Sequence, residues 1–448
     1  MKRLIYAALR AVSALDHWLR ERLTAAGWLA LGAGGAALAA GFDTSQGSSY
    51  QAGALLGALL VLAYAGSFFL RARVEVQREL PRYATAGETF SYRVEIANRG
   101  ARPIAGVSVL EAVRDPRPGF AAWRQAREPG EEDRNWFDRN VGYFRWRWLI
   151  ERVTPEPLHD APLPALAPGA RHTLRLQMTP RRRGRIELAG LVIQRSDPLG
   201  LVRGLAHLPL PARIVALPRR YRLPRLALPG RRKHQPGGVS LASSVGDTEE
   251  FLSLREYRPG DPLQRIHWKS FARTGRPIVK EFQDEFFERH ALVLDTGTRR
   301  GEDAAFEDAV AVAASFVYTI DTQECLLDLL FVGGSVHHST AGRGQLHAEN
   351  MLETLAGVGP SAPQDFERLA HAVLAQRAQL ASCILVLVDW DDARRALAER
   401  LAASGIEVRA ILVCDRRDAP PSPPAWLAVV HPGAIEAGLA RLESRVLR

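Results

Sequence analysis

Two long stretches without a charged residue constrain this chain more than any other feature. Residues 23–42 and 44–70 contain no Asp, Glu, Lys or Arg, and Asp43 is the only charge between Arg22 and Arg71. Since a helix rises about 1.5 Å per residue, each stretch is long enough to cross about 30 Å of hydrocarbon. The sequence therefore predicts a transmembrane helical hairpin over residues 23–70 with a short external loop. Small residues would let its two helices pack closely, namely Gly32, Gly34, Gly35, Gly53 and Gly57.

The charges that flank these stretches predict the orientation of the hairpin. The protein is expected in the inner (cell) membrane of a bacterium. Because positively charged flanks stay in the cytoplasm, both termini are expected on the cytoplasmic side. Residues 1–22 then form a cytosolic segment, which either lies as a helix in the membrane interface or simply leads into the first span. A cleaved signal peptide is disfavoured because a second apolar stretch follows closely. The alternative to a membrane hairpin is that the two stretches form buried helices of a soluble protein. The flanking basic residues are Lys2, Arg3, Arg10, Arg20, Arg22, Arg71, Arg73 and Arg78.

Length and composition indicate a folded protein of several domains. At roughly 150 residues per domain, 448 residues correspond to about three units. The content of 47% hydrophobic and 24% charged residues excludes a fibrous or mostly disordered chain. A net charge of +10 suits both nucleic acid and an anionic membrane, so it does not choose between them. Three cysteines far apart in sequence give no disulfide framework or zinc site: Cys325, Cys383 and Cys414.

Residues 71–216 show the period-two alternation of β-strands. Apolar and polar side chains alternate in segments such as 90–96 and 174–178, with turn-forming residues between the segments. With no convincing amphipathic helix among them, they predict an antiparallel β-sandwich. Residues 115–150 interrupt the pattern with many aromatic residues and arginines. These either pack on the sandwich or lie at the level of the lipid headgroups, or they form a surface that stacks on nucleic-acid bases or a partner protein.

Residues 217–239 combine prolines and glycines with many basic residues, which is typical of a linker. Two interpretations of its charge remain open. The cations could lie along anionic lipid, at about 1 kcal/mol each near the surface, or the segment could be solvated chain between domains.

The densest polar and aromatic segment covers residues 246–273. Residues 251–257 suit a short strand, and Asp261 is placed to cap a helix over residues 262–273. Closely spaced arginines and carboxylates predict ion pairs within the segment. A functional interpretation makes His267 a general base and either Lys269 or an arginine an anion clamp. The structural interpretation, which we favour, makes the segment a polar network that ties strand, turn and helix together or docks a partner.

This segment resembles the signature of the bacterial domain-of-unknown-function family 58. The resemblance also covers the two apolar stretches, the sandwich and the region that follows. It implies a C-terminal domain like von Willebrand factor A domains and an association with MoxR-type AAA+ ATPases in the maturation of other proteins. The residues that carry it, and that we expect to bind a partner or brace the signature, are Arg255, Glu256, Tyr257, Arg258, Pro259, Gly260, Asp261, Arg265, His267, Trp268 and Arg273.

Residues 240–448 contain this segment and then an alternation of strands and helices. Short apolar runs at 290–295, 326–332, 383–389 and 408–414 are typical of a buried parallel sheet. Helical periodicity marks 304–320, 346–355, 366–379, 392–403 and 434–447. The pattern predicts an open α/β sheet whose ligand crevice lies at the carboxyl ends of the strands.

Two carboxylates, Asp295 and Asp389, end strands that would border this crevice. The resemblance to von Willebrand domains implies Mg²⁺ held by an Asp-x-Ser-x-Ser loop, and hard oxygen ligands suit that ion. Here the loop reads Asp-Thr-Gly-Thr-Arg, so both serines are replaced. The only ligands to expect are Asp295, Thr298 and either Asp389 or Asp391. The alternative is that Asp295 and Asp389 cap the turns that follow them.

The function expected from these features is that of a membrane-anchored, cytosol-facing adaptor that binds proteins, not an enzyme. No phosphate-binding loop and no zinc or serine hydrolase motif occurs in the sequence. Two other classes remain as alternatives. One is a metal-dependent or acid/base hydrolase that uses Asp295 and Asp389, including the aspartic-protease string at residues 294–297, or the His267 region. The other is a nucleic-acid-binding membrane protein. Apart from Mg²⁺ no cofactor is indicated, and the sequence does not give the oligomeric state.

Overall fold

The computed structural model of the protein describes residues 1–40, 47–68, 73–128, 130–156, 160–223, 249–261, 263–284, 288–298, 304–320, 325–341 and 345–442. The chain divides into two compact units. The first comprises Met1–Arg219 with Glu353–Val358, and the second comprises Arg220–Leu352 with Gly359–Arg448. The fold is therefore multidomain, with both helices and sheets.

Three helices begin the first unit: α1 (Lys2–Arg22), α2 (Ala25–Ala40) and α3 (Gly47–Ser67). At about 1.5 Å per residue, the 21 residues of α3 extend about 32 Å, enough to cross the hydrocarbon layer. The 16 residues of α2 extend only about 24 Å. Among the described residues, α3 is the one helix long and apolar enough to be a candidate membrane span. The predicted first span is thus shorter than expected over its described part, and its end at Phe42 lies outside the described residues.

Helices α2 and α3 pack through two of the predicted glycines. A Cβ atom at Gly53 would lie 2.7 Å from Cγ of Leu38, and one at Gly34 would lie 3.4 Å from Cβ of Leu56. The absence of a side chain therefore allows the close approach at these positions. The remaining predicted glycines, Gly32, Gly35 and Gly57, face open space.

The β-sandwich is formed by eight strands in two sheets. A three-stranded antiparallel sheet has the order β1-β3-β6, and a five-stranded sheet has the order β2-β8-β7-β4-β5, in which only β2 and β8 pair in parallel. Both sheets contribute to one buried core that includes Ile96, Ile193 and Ile214. The strands are β1 (Val74–Glu79), β2 (Tyr83–Thr85), β3 (Phe90–Asn98), β4 (Val107–Val113), β5 (Ala161–Leu163), β6 (Arg171–Met178), β7 (Gly184–Ser196) and β8 (Arg203–Leu217).

A buried ion pair lies in the interior of the sandwich. Arg78 on β1 pairs with Glu111 on β4, and both side chains are almost fully buried. The hydroxyl of Tyr92 donates to Glu111 Oε2 at 2.8 Å, and Arg78 Nη2 donates to the carbonyl oxygen of Leu210 at 2.6 Å. These bonds satisfy charged groups that would otherwise be very costly to bury.

The insertion between β4 and β5 is helical, which corrects the expectation that no helix interrupts the strands. It contains α4 (Phe120–Gln125), a single 3₁₀ turn (Glu131–Asp133), α5 (Trp136–Val141) and α6 (Tyr143–Val153). Trp123 and Trp146 are buried, so they are not available for stacking on bases. Trp136 and Phe137 are exposed.

A turn between β7 and β8 contacts the start of α2. Asp197 organises this turn, since its carboxylate accepts from the backbone N–H groups of Leu199 and Val202 at 2.8 and 2.7 Å. Thr24 Oγ1 donates to the carbonyl oxygen of Leu201 at 3.1 Å. A Cβ atom at Gly27 would collide with the same carbonyl oxygen, so glycine is required at that position.

The second unit begins with a small antiparallel pair and continues into a six-stranded sheet. The pair is formed by β9 (Glu249–Glu256) and β10 (Ile278–Asp284), with a 3₁₀ turn (Leu263–Arg265) and α7 (Trp268–Thr274) between them. The sheet and its helices are β11 (Glu288–Leu294), α8 (Ala304–Thr319), β12 (Cys325–Gly333), β13 (Ser335–Ala341), α9 (Gln345–Ala356), α10 (Asp365–Ala375), β14 (Ser382–Leu387), α11 (Asp392–Ala403), β15 (Glu407–Val413), β16 (Leu427–Val430) and α12 (Ile435–Leu439).

The six strands have the order β13-β12-β11-β14-β15-β16, and all neighbours are parallel except β12 and β13. The chain runs from β11 to one side and later returns to β14 on the other side. Such a reversal opens a crevice at the carboxyl ends of the two strands. The four strands predicted from apolar runs are all present, whereas β13 and β16 were not predicted. The last helix ends at Leu439, and most of the predicted remainder lies beyond the described residues.

Most of the predicted linker, from residue 224 to 239, lies outside the described residues. The described start of this segment is not solvated chain between domains, because Tyr221 packs on α8. The backbone N–H of Tyr221 donates to Ser315 Oγ at 2.8 Å, and its hydroxyl donates to Asp308 Oδ1 at 2.8 Å.

Candidate functional site

The turn that follows β9 is held by an arginine–carboxylate pair. Arg255 donates from Nη1 to Asp261 Oδ2 at 2.7 Å and from Nη2 to Oδ1 at 2.8 Å. The backbone N–H of Arg258 donates to Asp261 Oδ2 at 2.8 Å, and Gly260 supplies the positive φ that the turn needs. The Arg255 hydrogen bonds, followed by the Arg258 N–H, lower the pKa of Asp261 to about 2. Asp261 is therefore ionised at neutral pH and fixes the turn.

The helix after this turn begins later than predicted. It starts at Trp268 rather than at residue 262, so Asp261 does not cap it. Two contacts explain the delay. The carboxylate of Asp261 is engaged by Arg255, and Ile266 forms an extended bridge with Val279. The predicted end is confirmed, since Gly275 closes α7 in the left-handed conformation.

Helix α7 presents aromatic and basic side chains to solvent. Trp268 is 62% exposed and Phe271 is 38% exposed, and their rings meet edge to face at 6.0 Å. Lys269 and Arg273, four residues apart, are exposed on the same helix. We call Trp268, Lys269, Phe271 and Arg273 the α7 patch. An exposed aromatic pair with adjacent cations is typical of a protein-binding surface.

The other predicted signature residues support this patch or lie beside it. His267 donates its backbone N–H to Ile278 at 2.8 Å, and its Nδ1 lies 2.6 Å from Ser270 Oγ within the first helical turn. The backbone N–H of Tyr257 donates to Pro277 at 3.0 Å. Glu256 pairs with Arg276 at the surface. Pro259 is exposed in the turn. The side chain of Arg265 lies outside what the structure describes.

Sequence reasoning missed Phe271 and Ser270. Both could have been found from spacing, because residues three apart on a helix are neighbours. Phe271 follows Trp268 by three positions, and Ser270 follows His267 by three. The local His267–Ser270 contact braces the start of the helix.

A second candidate site lies at the carboxyl ends of β11 and β14. Asp295 directly follows β11 and is completely buried, and its backbone N–H donates to Val386 of β14 at 2.8 Å. Arg394 of α11 is 1% exposed, and its Nε donates to Asp295 Oδ2 at 2.7 Å. Its Nη2 donates to the carbonyl oxygen of Gly297 at 2.9 Å, and its guanidinium lies 4.5 Å from the ring of Phe366. A fixed cation thus faces the buried carboxylate.

Burial is the main influence on Asp295 and raises its pKa, while the charge and hydrogen bond of Arg394 act in the opposite direction. Arg394 also pairs with Asp391, the residue that caps α11 by accepting from the Arg394 backbone N–H at 2.9 Å. The guanidinium therefore joins the loop after β11 to the start of α11.

The predicted magnesium ligands do not fit a divalent cation in this arrangement. The carboxylate of Asp295 is engaged by Arg394 and by the backbone N–H of Gly297 at 2.9 Å. Asp389 is exposed and accepts from the N–H of Trp390 at 2.8 Å, while the backbone N–H of Thr298 donates to Ser361 at 3.2 Å. In the described parts of the chain, no three His, Cys, Asp or Glu side chains come together as a metal site. The alternative, that Asp295 and Asp389 cap their turns, agrees with these bonds.

The aspartic-protease string does not bring two carboxylates together at Asp295. Such a protease needs two carboxylates that share a proton, whereas the Asp295 carboxylate accepts from the guanidinium of Arg394 and from the backbone N–H of Gly297. His337 and His338 lie on β13. His338 Nε2 lies 3.2 Å from the buried carboxylate of Asp328, and His337 stacks on Phe331.

Comparison with known proteins places a family match on the second unit. Residues 253–429 match the family described as "Protein of unknown function DUF58", a region that begins in β9 and ends in β16. The chain is 26% identical over 196 residues to the uncharacterized protein YeaD of Bacillus subtilis. The aligned region covers 43% of this chain and 48% of that protein. The chain is 32% identical over 196 residues to uncharacterized proteins of Mycobacterium tuberculosis and Mycobacterium bovis, which covers 40% of this chain and 60% of theirs. The chain thus spans about half the length of the curated relatives it matches, and the match confirms the predicted family resemblance for the second unit.

Proposed function

We propose that this protein is a membrane-anchored adaptor that binds another protein through the α7 patch. The observation that carries the proposal is the exposed aromatic pair of Trp268 and Phe271 on a short helix that the Arg255–Asp261 pair braces. Burying a tryptophan in a partner contributes strongly to affinity. An exposed apolar pair of this kind on a protein surface marks a site of interaction with a partner.

The partner in this proposal is a MoxR-type AAA+ ATPase, and the joint task is assembly or maturation of other proteins. The family resemblance suggests this partner. The basic residues Lys269 and Arg273 suit an acidic, apolar surface on it. Binding rather than catalysis is supported by the strand-end crevice, where the carboxylate of Asp295 is already engaged by Arg394.

The α/β sheet of the second unit is, in this proposal, a von Willebrand A-like domain that operates without its metal. Two features support it. The sheet is open with an antiparallel edge strand, and a carboxylate ends β11 at the chain reversal. The guanidinium of Arg394 provides the positive charge beside that carboxylate.

The anchor in this proposal is the α2–α3 hairpin, with both chain termini in the cytosol of a bacterial cell. The packing of α2 on α3 through Gly34 and Gly53 supports a hairpin. A cysteine at Ser48, labelled with an impermeant maleimide, tests the topology. We expect labelling of Ser48→Cys in intact spheroplasts and labelling of Arg416→Cys only after permeabilisation. The native cysteines are buried and give a low background. The reverse pattern would contradict the orientation.

Photo-crosslinking tests the binding surface directly. A photoreactive amino acid replaces Trp268 in the full chain in its native membrane, and the crosslinked proteins are identified by mass spectrometry. The matched control is Tyr318 of α8, which is 64% exposed. We expect an AAA+ ATPase crosslinked from position 268 and not from position 318. Equal crosslinking from both positions, or crosslinking of nucleic acid, would refute the proposal.

An affinity measurement with the purified ATPase gives the energetic test. Trp268→Ala is expected to weaken binding by about 30-fold, the loss typical of a central interface residue. Arg395→Ala, an exposed cation of α11 in the same unit, is the control and is expected to bind normally.

A further inference from the structure

Helix α1 carries a stripe of apolar side chains that remain exposed among the described residues. Leu4, Val12, Leu15 and Trp18 are between 41% and 76% exposed. At about 100° per residue, they fall within a sector of about 120° on one side of the helix. We call these four residues the α1 stripe.

The opposite side of α1 is fixed against the helical insertion. The ring of Tyr6 lies 5.4 Å from Phe120, 5.9 Å from Trp123 and 5.5 Å from Trp146. Its hydroxyl donates to the carbonyl oxygen of Pro118 at 3.2 Å. Because this aromatic cluster holds one side of the helix, α1 cannot rotate to bury the stripe.

The end of α1 is fixed to the end of α3. The ring of Trp18 meets Tyr64 at 5.8 Å, and Arg22 donates from Nη1 to Ser67 Oγ at 3.4 Å. The next residue, Leu23, is buried with Ala63. The α1 stripe is therefore continuous with the exposed apolar surface of the helical hairpin, where Leu29 and Leu62 are among the exposed residues.

We propose that α1 lies in the membrane interface with its stripe between the headgroups and the acyl chains of an anionic bilayer. An exposed apolar stripe with basic residues outside it is typical of interfacial helices. The basic residues of α1 are Lys2, Arg3, Arg10, Arg20 and Arg22, against Asp16 and Glu21, so the helix is net positive. Lys2, Arg3, Arg10 and Arg20 lie outside the sector of the stripe, whereas Arg22 lies within it at the end of the helix, where it donates to Ser67 Oγ. Through Tyr6, α1 then holds the helical insertion beside the membrane surface.

This inference rests on the proposed membrane anchor, and the experiment separates the two. The full chain is reconstituted in liposomes of phosphatidylethanolamine and phosphatidylglycerol with an environment-sensitive fluorophore on one engineered cysteine. Leu15→Cys reports the stripe, and His17→Cys reports the opposite side of the same helix. Leu55→Cys, 62% exposed on α3, reports the anchor itself. Lipids with a spin label near the headgroup end of the acyl chain serve as the quencher for positions 15 and 17, and lipids with a spin label near the methyl end serve for position 55, which lies about 12 Å along α3.

We expect at least twofold stronger quenching at position 15 than at position 17. Quenching at 55 with equal, weak quenching at 15 and 17 would overturn the interfacial helix while the anchor stands. Absence of quenching at all three positions would overturn the anchor. A blue-shifted signal at 15 without lipid quenching, accompanied by energy transfer between labelled copies, would mean that a second copy of the chain covers the stripe, and would also overturn the inference.

Discussion

Two arginine–carboxylate pairs in the second unit differ in burial and therefore in what they do. Arg394 and Asp295 are both buried, whereas Arg255 and Asp261 are partly exposed. In the interior, either partner without the other would leave an uncompensated buried charge, so the loss of one partner is strongly destabilising. At the surface, water screens the pair, and its contribution is mainly to the geometry of a turn. An arginine–carboxylate pair thus occupies the strand-end crevice at Asp295, and a second such pair fixes the geometry of the turn at Asp261.

The largest expected effect comes from breaking the buried pair. Arg394→Ala leaves Asp295 buried and unpaired, and we expect a loss of about 3–5 kcal/mol in the free energy of unfolding. Urea unfolding of the detergent-solubilised chain, followed by proteolysis, measures it. Arg395→Ala, next to it but exposed, is expected to change the value by less than about 0.5 kcal/mol. Replacing both partners, as in Arg394→Leu with Asp295→Leu, should restore part of the loss. An Arg394→Ala variant as stable as Arg395→Ala would remove the contrast between the two pairs.

The pH dependence of the free energy of unfolding tests the same buried region through His290. Its Nδ1 lies 2.8 Å from Ser382 Oγ. Burial lowers the pKa of His290 to about 4. The unfolded chain therefore binds a proton that the folded chain does not, and stability falls as the pH drops from about 6.5 to about 4. The loss attributable to this residue is up to about 3 kcal/mol. His290→Asn should show a flatter pH dependence of the unfolding midpoint, and an unchanged slope would contradict the assignment.

The exposed pair is expected to affect binding more than stability. Asp261→Asn removes the negative charge and one of the two carboxylate oxygens that accept from Arg255, so the turn before α7 loosens and the α7 patch loses its orientation. We expect clearly weaker binding to the proposed ATPase partner, with a melting midpoint within about 2 °C of the original. Glu399→Gln, which breaks the exposed pair with Arg395, is the matched control. Because the pKa of Asp261 is about 2, its contribution is complete above about pH 4 and is lost only as the pH falls through 2. Binding should therefore not change between pH 5 and pH 7 on its account.

The smallest expected effect is that of divalent cations. Since Arg394 already supplies the charge beside Asp295, 10 mM Mg²⁺ or EDTA should leave the melting midpoint unchanged within about 1 °C. A site with a dissociation constant a hundredfold lower than the ion concentration would instead add about 2.7 kcal/mol. A stabilisation of that size, lost in Asp295→Asn, would restore the magnesium hypothesis.

The sequence predicted the α/β sheet well because its strands are buried on both faces and read as continuous apolar runs, as in residues 383–387. The edge strand β13 was missed because its side chains are mostly exposed and include His337 and His338. Two helices of the insertion, α4 and α5, were missed because six residues each are too few to show a helical period. The longer α6 was missed although it buries Trp146, because its aromatic residues and arginines were interpreted as a surface rather than tested for a helical period.

The site was less predictable, because it depends on contacts between distant residues. Asp295 was identified from its place after a strand, but Arg394 lies 99 positions later and looks like an ordinary surface residue of a helix. Nothing local shows that it turns inward to the carboxylate. The Arg255–Asp261 pair, six residues apart, was within reach of sequence reasoning, whereas the delayed start of α7 depends on the bridge between Ile266 and Val279.

The close contact between Gly27 and the turn at Leu201 has a mechanical consequence. With no side chain at Gly27 and a hydrogen bond from the backbone N–H of Thr24 to the carbonyl oxygen of Leu201 at 3.1 Å, the helix and the turn touch backbone to backbone. Such a joint has no flexible side chain to absorb displacement. A tilt of α2 is therefore transmitted directly to β7 and β8, and a load pulling on those strands acts on the helix with equal directness.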